Sequence, residues 1–137
     1  IATSIMSLAD DSGLFVDALN GAPGPLSARY GKSDEERIKR LLKELNKIEQ
    51  RSAIFRCAVA VVGLEIDEVF LGECEGQIAH EPSGSLGFGY DPIFVPKGFD
   101  KTFADLGPKV KNRISHRAKA LLKAKEYLLK YKVNSKM

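Results

Sequence analysis

The chain has 137 residues, of which 44% are hydrophobic and 28% are charged, and its formal net charge is +3. These values are ordinary for a soluble globular protein, and we expect a single domain over residues 1–137. No apolar run approaches the roughly 18–20 residues of a membrane span and no signal-peptide pattern opens the sequence. We therefore expect a cytoplasmic protein without a membrane partner.

The first distinctive feature along the chain is an acidic pair, Asp10 and Asp11. The pair follows a short apolar run at residues 5–8, which predicts that the two carboxylates emerge at the end of a strand. Grouped carboxylates suit Mg²⁺, which binds through one or two of them together with substrate phosphates. An isolated Asp-Asp pair is more often a solvated turn, so the metal assignment depends on the rest of the chain.

An amphipathic helix is predicted next. Ser33 and Glu36 have the spacing of a capping box at its start. The apolar residues that follow at helical spacing, which we expect in the core, are Ile38, Leu41, Leu42, Leu45 and Ile48.

A β-hairpin is predicted from residues 53–62, a turn at 63–67 and a returning strand at 69–78. Gly72 and Gly76 in the second strand indicate bulges or close backbone approach. Cys57 and Cys74 are related by mirror symmetry about residues 64–67, so they could face each other across the hairpin. We expect both to be reduced, small apolar residues.

The second half of the chain begins with a glycine-rich loop at residues 82–89 and a short strand at 93–95. Pro108 suits the first turn of a helix, and Ser115 suits the N-cap of a long last helix. The residues expected on the inner face of that helix are Ala118, Leu121, Leu122, Leu128 and Leu129. These elements together predict an α/β fold.

Two dense motifs lie in this half, at residues 87–92 (GFGYDP) and 111–117 (KNRISHR). The first puts an aromatic ring and a carboxylate on a glycine-rich backbone, which could grip a flat base. The second puts Lys, Ser, His and Arg near a helix start, which could bind an anion. Residues 109–137 carry 10 Lys and Arg against one acidic residue, whereas residues 1–108 carry 11 against 17. Together with the acidic pair, these features indicate a nucleotide site.

At this point the sequence resembles the inosine triphosphate pyrophosphatase family, which hydrolyses non-canonical purine nucleoside triphosphates. The resemblance covers nearly the whole chain. The motifs that carry it, in family order, are residues 8–14 (LADDSGL), 16–19 (VDAL), 21–24 (GAPG), 27–30 (SARY), 55–57 (FRC), 87–94 (GFGYDPIF), 101–104 (KTFA) and 111–117 (KNRISHR).

The resemblance implies a long curved mixed β-sheet with flanking helices, and a homodimer. It implies Mg²⁺-dependent attack of water on the α-phosphorus of ITP, dITP or XTP, which releases the monophosphate and pyrophosphate. The family's usual N-terminal segment, with a phosphate-binding loop and a metal-binding Glu, is not found before Asp10. We therefore expect a fragment whose own turnover is weak or nil.

The resemblance also implies roles for individual residues. Asp11 is expected to be the proton acceptor and a metal ligand, with Asp10 as a second acidic ligand. The residues expected to bind the substrate are Ser12, Phe88, Gly89, Tyr90, Asp91, Lys111, His116 and Arg117. Tyr90 is expected to be mostly structural and to contribute its backbone.

The chemistry of these side chains favours some bases over others. Phe88 offers a stacking face that accepts any base, whereas Arg117 can only donate hydrogen bonds. A donor suits the 6-keto oxygen of inosine and xanthosine, and it opposes the 6-amino group of adenine. The preference does not by itself exclude guanosine.

Simpler interpretations remain for each residue. Phe88 could be a core aromatic, and His116 and Lys111 could be ordinary surface side chains. For the whole chain, the alternatives are a catalytically silent fragment and a basic nucleic-acid-binding module in which phosphate contacts drive affinity. The second is disfavoured because no recognised module fits.

Overall fold

The computed structural model describes residues 7–63 and 65–135. Its centre is a five-stranded sheet in the order β2-β1-β3-β4-β5, and all four strand pairings are antiparallel. The strands are β1 (Ser7–Val16), β2 (Pro23–Gly24), β3 (Ser52–Gly63), β4 (Ile66–Ile78) and β5 (Phe94–Pro96). The helices are α1 (Asp34–Glu44), α2 (Phe103–Leu106), α3 (Pro108–Ile114) and α4 (His116–Ser135), and short 3-10 turns lie at Asp17–Leu19, Ser27–Arg29 and Asp91–Ile93.

The predicted α/β fold, a sheet with flanking helices, is confirmed. The helix α1 begins as the sequence indicates, because Ser33 Oγ accepts the Glu36 N–H at 3.2 Å. Of its predicted apolar stripe, Ile38, Leu41 and Leu45 are buried, and Leu42 and Ile48 pack against the same cluster. Among the described residues, no helix combines the length and the apolar character needed to cross a membrane.

The β3–β4 hairpin forms as predicted, with a different register. Cys57 lies opposite Gly72, and Cys74 lies opposite Phe55, so the expected Cys57–Cys74 pairing is wrong. The reason is that β4 already begins at Ile66, opposite Gly63, which shifts the cross-strand partners by two residues. Both cysteines are buried and free, as expected. Leu64, in the predicted turn, lies outside the described residues.

Helix α4 crosses the sheet with its small residues inward. Ala120 and Ala124 are buried, whereas Leu121, Leu122 and Leu129 are exposed, so their predicted place on the inner face is wrong. The cause lies in the sheet: a Cβ on Gly72 would stand 2.0 Å from the His116 carbonyl oxygen. The helix backbone therefore rests directly on the strand, which leaves room only for alanine at the contact. The close approach predicted for Gly72 is confirmed.

The edge of β4 is covered by side chains from the same helix. Among the described residues, only Gly76, Gln77 and Ile78 of β4 pair with β5, so the rest of this edge of β4 has no strand partner there. Lys119 Nζ donates to the Glu73 carbonyl at 2.9 Å, and Lys123 Nζ donates to the Leu71 carbonyl at 2.6 Å. Lysines in such positions protect an edge strand from pairing with another chain.

Candidate active site

A cavity of about 1040 Å³ opens between β1, the loop before β5, and the α3–α4 junction. The residues expected to bind substrate that line it are Ser12, Phe88, Gly89, Tyr90, Asp91, Lys111, His116 and Arg117. Residues far apart in sequence thus share one concave surface. Asp10 and Asp11 are not among the lining residues.

Phe88 lies at the mouth of this cavity, and 61% of its surface is exposed. The Lys111 Nζ lies 4.1 Å from the centre of its ring, within the range of a cation–π contact. A core role for Phe88 is excluded by this exposure. The ring leaves a face available for stacking beside a fixed positive charge.

The carboxylate of Asp91 holds Phe88 and Lys111 in these positions. Its side chain is almost fully buried, and Oδ2 accepts the Phe88 N–H at 3.0 Å while pairing with Lys111 Nζ at 2.6 Å. One carboxylate oxygen therefore orients both the aromatic loop and the lysine. The buried pair also accounts for the position of Lys111, whose side chain is only 18% exposed and is not a solvated surface lysine.

The side chain of Tyr90 connects the loop at residues 87–92 with the cavity wall that contains Ser27. Its hydroxyl donates to the Ser27 carbonyl at 2.7 Å, and burial raises the pKa of this phenol to about 12. Ser27 Oγ in turn accepts the Leu14 N–H at 2.9 Å. The side chain of Tyr90 thus connects the loop to β1, in agreement with the structural role expected for it.

His116 lies under the cavity at the first position of α4, whose start is capped by Ser115 Oγ accepting the Ala118 N–H at 3.1 Å. The imidazole is buried and stacks on Phe55, with ring centroids 4.7 Å apart. Burial lowers its pKa to about 4, and the charges of Arg117 and Lys111 act in the same direction. The ring is therefore neutral near pH 7. Its Nδ1 is buried and has no hydrogen-bond partner among the described residues.

Arg117 connects the start of α4 with β1. Its Nε lies 2.9 Å from Asp10 Oδ2, an ion pair that lacks hydrogen-bond geometry, and its Nη2 lies 3.5 Å from Ser12 Oγ. The side chain remains 41% exposed. The guanidinium can therefore still offer donors to a ligand in the cavity.

Asp10 and Asp11 lie in the middle of β1, so their predicted position at a strand end is wrong. The apolar run stops at Leu8, but pairing with β3 continues from Ser7 to Val16, which keeps the acidic pair in the strand. Residues 5 and 6 of the predicted run lie outside the described residues. Because side chains alternate along a strand, Asp10 faces α4 and Asp11 faces the opposite side of the sheet.

The surroundings of the two carboxylates differ. Asp10 is paired with Arg117, whereas Asp11 is exposed and has no hydrogen bond or ion pair within the part of the chain that the structure describes. In that same part, no three His, Cys, Asp or Glu side chains converge as a metal cage.

Two cavity-lining residues, Asp34 and Arg37 at the start of α1, were not anticipated from the sequence. From this turn, only Ser33 and Glu36 entered the prediction, as a capping box. No local pattern identifies them, because Asp34 meets the cavity through its contact with Gly89, which lies 55 residues away in sequence.

The sequence matches the Ham1 family over residues 1–127. It is 52% identical over 125 residues to a dITP/XTP pyrophosphatase of Nostoc sp., covering 87% of this chain and 62% of that protein. It is 51% identical over 133 residues to a dITP/XTP pyrophosphatase of Bacillus subtilis, covering 93% of this chain and 67% of that protein. The chain thus spans a little over three-fifths of the length of several curated relatives.

Solved structures give the same result. The Ham1 protein of Staphylococcus aureus matches with a TM-score of 0.90 and 43% identity, covering 95% of this chain and 70% of that one. A HAM1 protein of Coxiella burnetii matches with a TM-score of 0.85 and 43% identity, covering 94% of this chain and 71% of that one. The resemblance indicated by the motifs is confirmed, and the chain belongs to the Ham1 family.

Proposed function

We propose that this chain binds and hydrolyses non-canonical purine nucleoside triphosphates (ITP, dITP and XTP) to the monophosphate and pyrophosphate, as a nucleotide-pool sanitation enzyme. The observation that carries the proposal is the cavity wall on which Phe88, Lys111, neutral His116 and Arg117 meet. Relatives named dITP/XTP pyrophosphatase support it.

The base is proposed to stack on Phe88, whose exposed ring accepts any purine. Discrimination then depends on hydrogen bonds. Arg117 only donates, and a neutral imidazole carries one donor and one acceptor nitrogen. The buried Nδ1 of His116 accepts or donates no hydrogen bond within the described part of the chain, so it is available for a polar group of the ligand. A 6-keto purine satisfies donors on this wall, whereas adenine would oppose a donor with a donor.

The phosphates are proposed to leave the cavity past Ser12 and reach Asp11 on the other side of the sheet. β2 pairs only with Leu14 and Phe15, so the outer edge of β1 before Leu14 has no strand partner among the described residues. A triphosphate can pass around this edge. Ser12 would then donate its hydroxyl to the substrate, and Asp11 would accept the proton of the attacking water.

Mg²⁺ is proposed as the cofactor. The exposed, unpaired carboxylate of Asp11 fits an ion that takes one or two carboxylates and completes its shell with phosphate oxygens and waters. Asp10 could contribute only if its ion pair with Arg117 loosened. The bound ion would neutralise charge on the phosphate oxygens.

A homodimer is proposed as well, on the family resemblance alone. A cytoplasmic location is proposed because the sequence has no apolar run long enough to span a membrane. Light scattering of the purified chain measures the first directly, and an equilibrium mass equal to one chain at all concentrations would contradict it.

The function is tested by measuring both binding and pyrophosphate release. Chemical shifts of the 137-residue chain are followed during titration with ITP, XTP and ATP, and pyrophosphate release is followed with and without Mg²⁺. We expect shifts at Phe88, Lys111 and Arg117 with ITP and XTP, much weaker shifts with ATP, and at most weak pyrophosphate release, which depends on Mg²⁺. Equal affinity for ATP, or shifts confined to other surfaces, would contradict the proposal.

A further inference from the structure

Asp34 and Arg37 line the cavity from the first turn of α1, away from the motifs that identified the site. Asp34 Oδ2 accepts the N–H of Gly89 at 2.8 Å, across 55 residues of sequence. Its other oxygen pairs with Arg37 Nη1 at 2.8 Å, and Arg37 Nε donates to the Ala28 carbonyl at 2.9 Å. The carboxylate is therefore fixed in orientation and holds the aromatic loop against α1.

The Phe88–Gly89 part of the loop needs such an anchor because neither residue has a side chain packed in the core. Phe88 is mostly exposed, and Gly89 adopts a positive φ of 63°. Apart from its two chain neighbours, no described residue has an atom within 4 Å of the place where a Gly89 Cβ would be. Glycine in such a position has a wide choice of backbone conformations. Hydrogen bonds to the backbone of Phe88 and Gly89 select one of them.

Two carboxylates supply those bonds to two successive N–H groups. Asp91 Oδ2 accepts the N–H of Phe88 and Asp34 Oδ2 accepts the N–H of Gly89, at 3.0 Å and 2.8 Å. Bonds to an ionised acceptor are stronger and more directional than bonds between neutral groups. The Asp91 bond fixes the Gly87–Phe88 peptide plane and the Asp34 bond fixes the Phe88–Gly89 peptide plane. Together they hold the backbone on both sides of the Phe88 Cα and, through it, set the direction of the Phe88 ring.

We propose that Asp34 is a positioning residue, which orients the Phe88 ring for base stacking by holding the Gly89 amide. The proposal rests on the proposed function for the identity of the stacked ligand. Because Asp34 acts on the loop and not on the phosphates, its loss raises KM for ITP and leaves kcat nearly unchanged.

The test compares Asp34→Ala, Asp34→Asn and Glu35→Ala. Asparagine retains an acceptor oxygen, so it should restore part of the contact. Glu35 is the neighbouring acid of the same helix turn and does not line the cavity, so it controls for the loss of a charge at the helix start. Hydrogen exchange of the Gly89 amide is measured in each variant by NMR, together with KM, or Kd where turnover is undetectable, for ITP.

In Asp34→Ala we expect Gly89 exchange and KM or Kd each to rise about five- to tenfold, equivalent to about 1–1.4 kcal/mol. The Gly89 exchange rate and the KM or Kd of Asp34→Asn should lie between those of Asp34→Ala and those of the parent chain. Both quantities in Glu35→Ala should match the parent chain. Unchanged Gly89 exchange in Asp34→Ala would overturn the proposal, and so would faster exchange with unchanged affinity. If the parent chain binds no ITP, the proposed function fails, while the Gly89 exchange still decides whether Asp34 holds the loop.

Discussion

The contribution of Phe88 to ligand binding can be measured without a large change in the stability of the fold. Its exposed ring adds little to the core, so Phe88→Ala should change the free energy of unfolding by less than about 0.5 kcal/mol. Loss of base stacking should raise KM for ITP about 5- to 100-fold. Phe99→Ala, at a partly exposed ring outside the cavity, is the matched control. An unchanged KM in Phe88→Ala would remove the ring from the site.

His116 gives a pH-dependent signature. Its pKa is lowered from 6.5 to about 4 in the folded chain, so below pH 6.5 the unfolded chain binds a proton that the folded chain does not. The free energy of unfolding is therefore not reduced by His116 above pH 6.5. It decreases by about 2–3 kcal/mol as the pH falls towards 4, because the unfolded chain binds the proton first. His116→Phe keeps the stacking on Phe55 and removes the titration. Urea unfolding of both proteins from pH 7 to pH 4 should therefore show a smaller decrease for the variant, and parallel curves would contradict the neutral, buried imidazole.

At the scale of elements, the contact between β4 and α4 sets the position of His116. A Cβ on Gly72 would meet the His116 carbonyl oxygen at 2.0 Å and the Ala120 nitrogen at 2.6 Å, both backbone atoms that cannot rotate away. Gly72→Ala should destabilise the chain by about 1–3 kcal/mol or more and weaken ITP binding by shifting the start of α4. Gly98→Ala is the comparison, since a Cβ at Gly98 would meet open space and would add only the backbone strain of its positive φ. A Gly72→Ala protein as stable as the parent would show that the helix can move without cost.

The elements themselves were largely predictable, because capping residues and apolar periodicity are local signals. Ser33, Pro108 and Ser115 each mark a helix start where the sequence indicates one. The inner face of α4 was not predictable, since it depends on a glycine in a distant strand. Likewise, Asp10 and Asp11 remain in a strand only because β3 continues to pair with them.

At the scale of the whole molecule, the motifs predicted which residues meet but not how each is used. Phe88, Lys111, His116 and Arg117 share the cavity as expected. The buried pairing of Asp91 with Lys111, however, depends on packing that no local pattern encodes. The basic end of the chain also acquires structural roles, since Lys119 and Lys123 bind the edge of β4. Nothing in these contacts favours a nucleic-acid-binding module.

The residues proposed to bind the base and the residue proposed to accept the proton lie on opposite faces of the sheet, and this separation can be tested. The cavity lies on the side of α4, whereas Asp11 projects from the opposite face of β1. Asp11→Asn keeps the shape of the side chain and removes its charge. In a protein that also carries the family's N-terminal segment it should abolish Mg²⁺-dependent turnover, and in this chain the metal-free affinity for ITP should change less than about twofold. Asp10→Asn releases Arg117 from its ion pair and should instead alter the affinity for ITP.

Pyrophosphate release and metal-free ITP titrations of the two variants distinguish these effects. Full turnover in Asp11→Asn would transfer the proton-accepting role to another group, and a large loss of metal-free affinity would mean that Asp11 contacts the nucleotide directly.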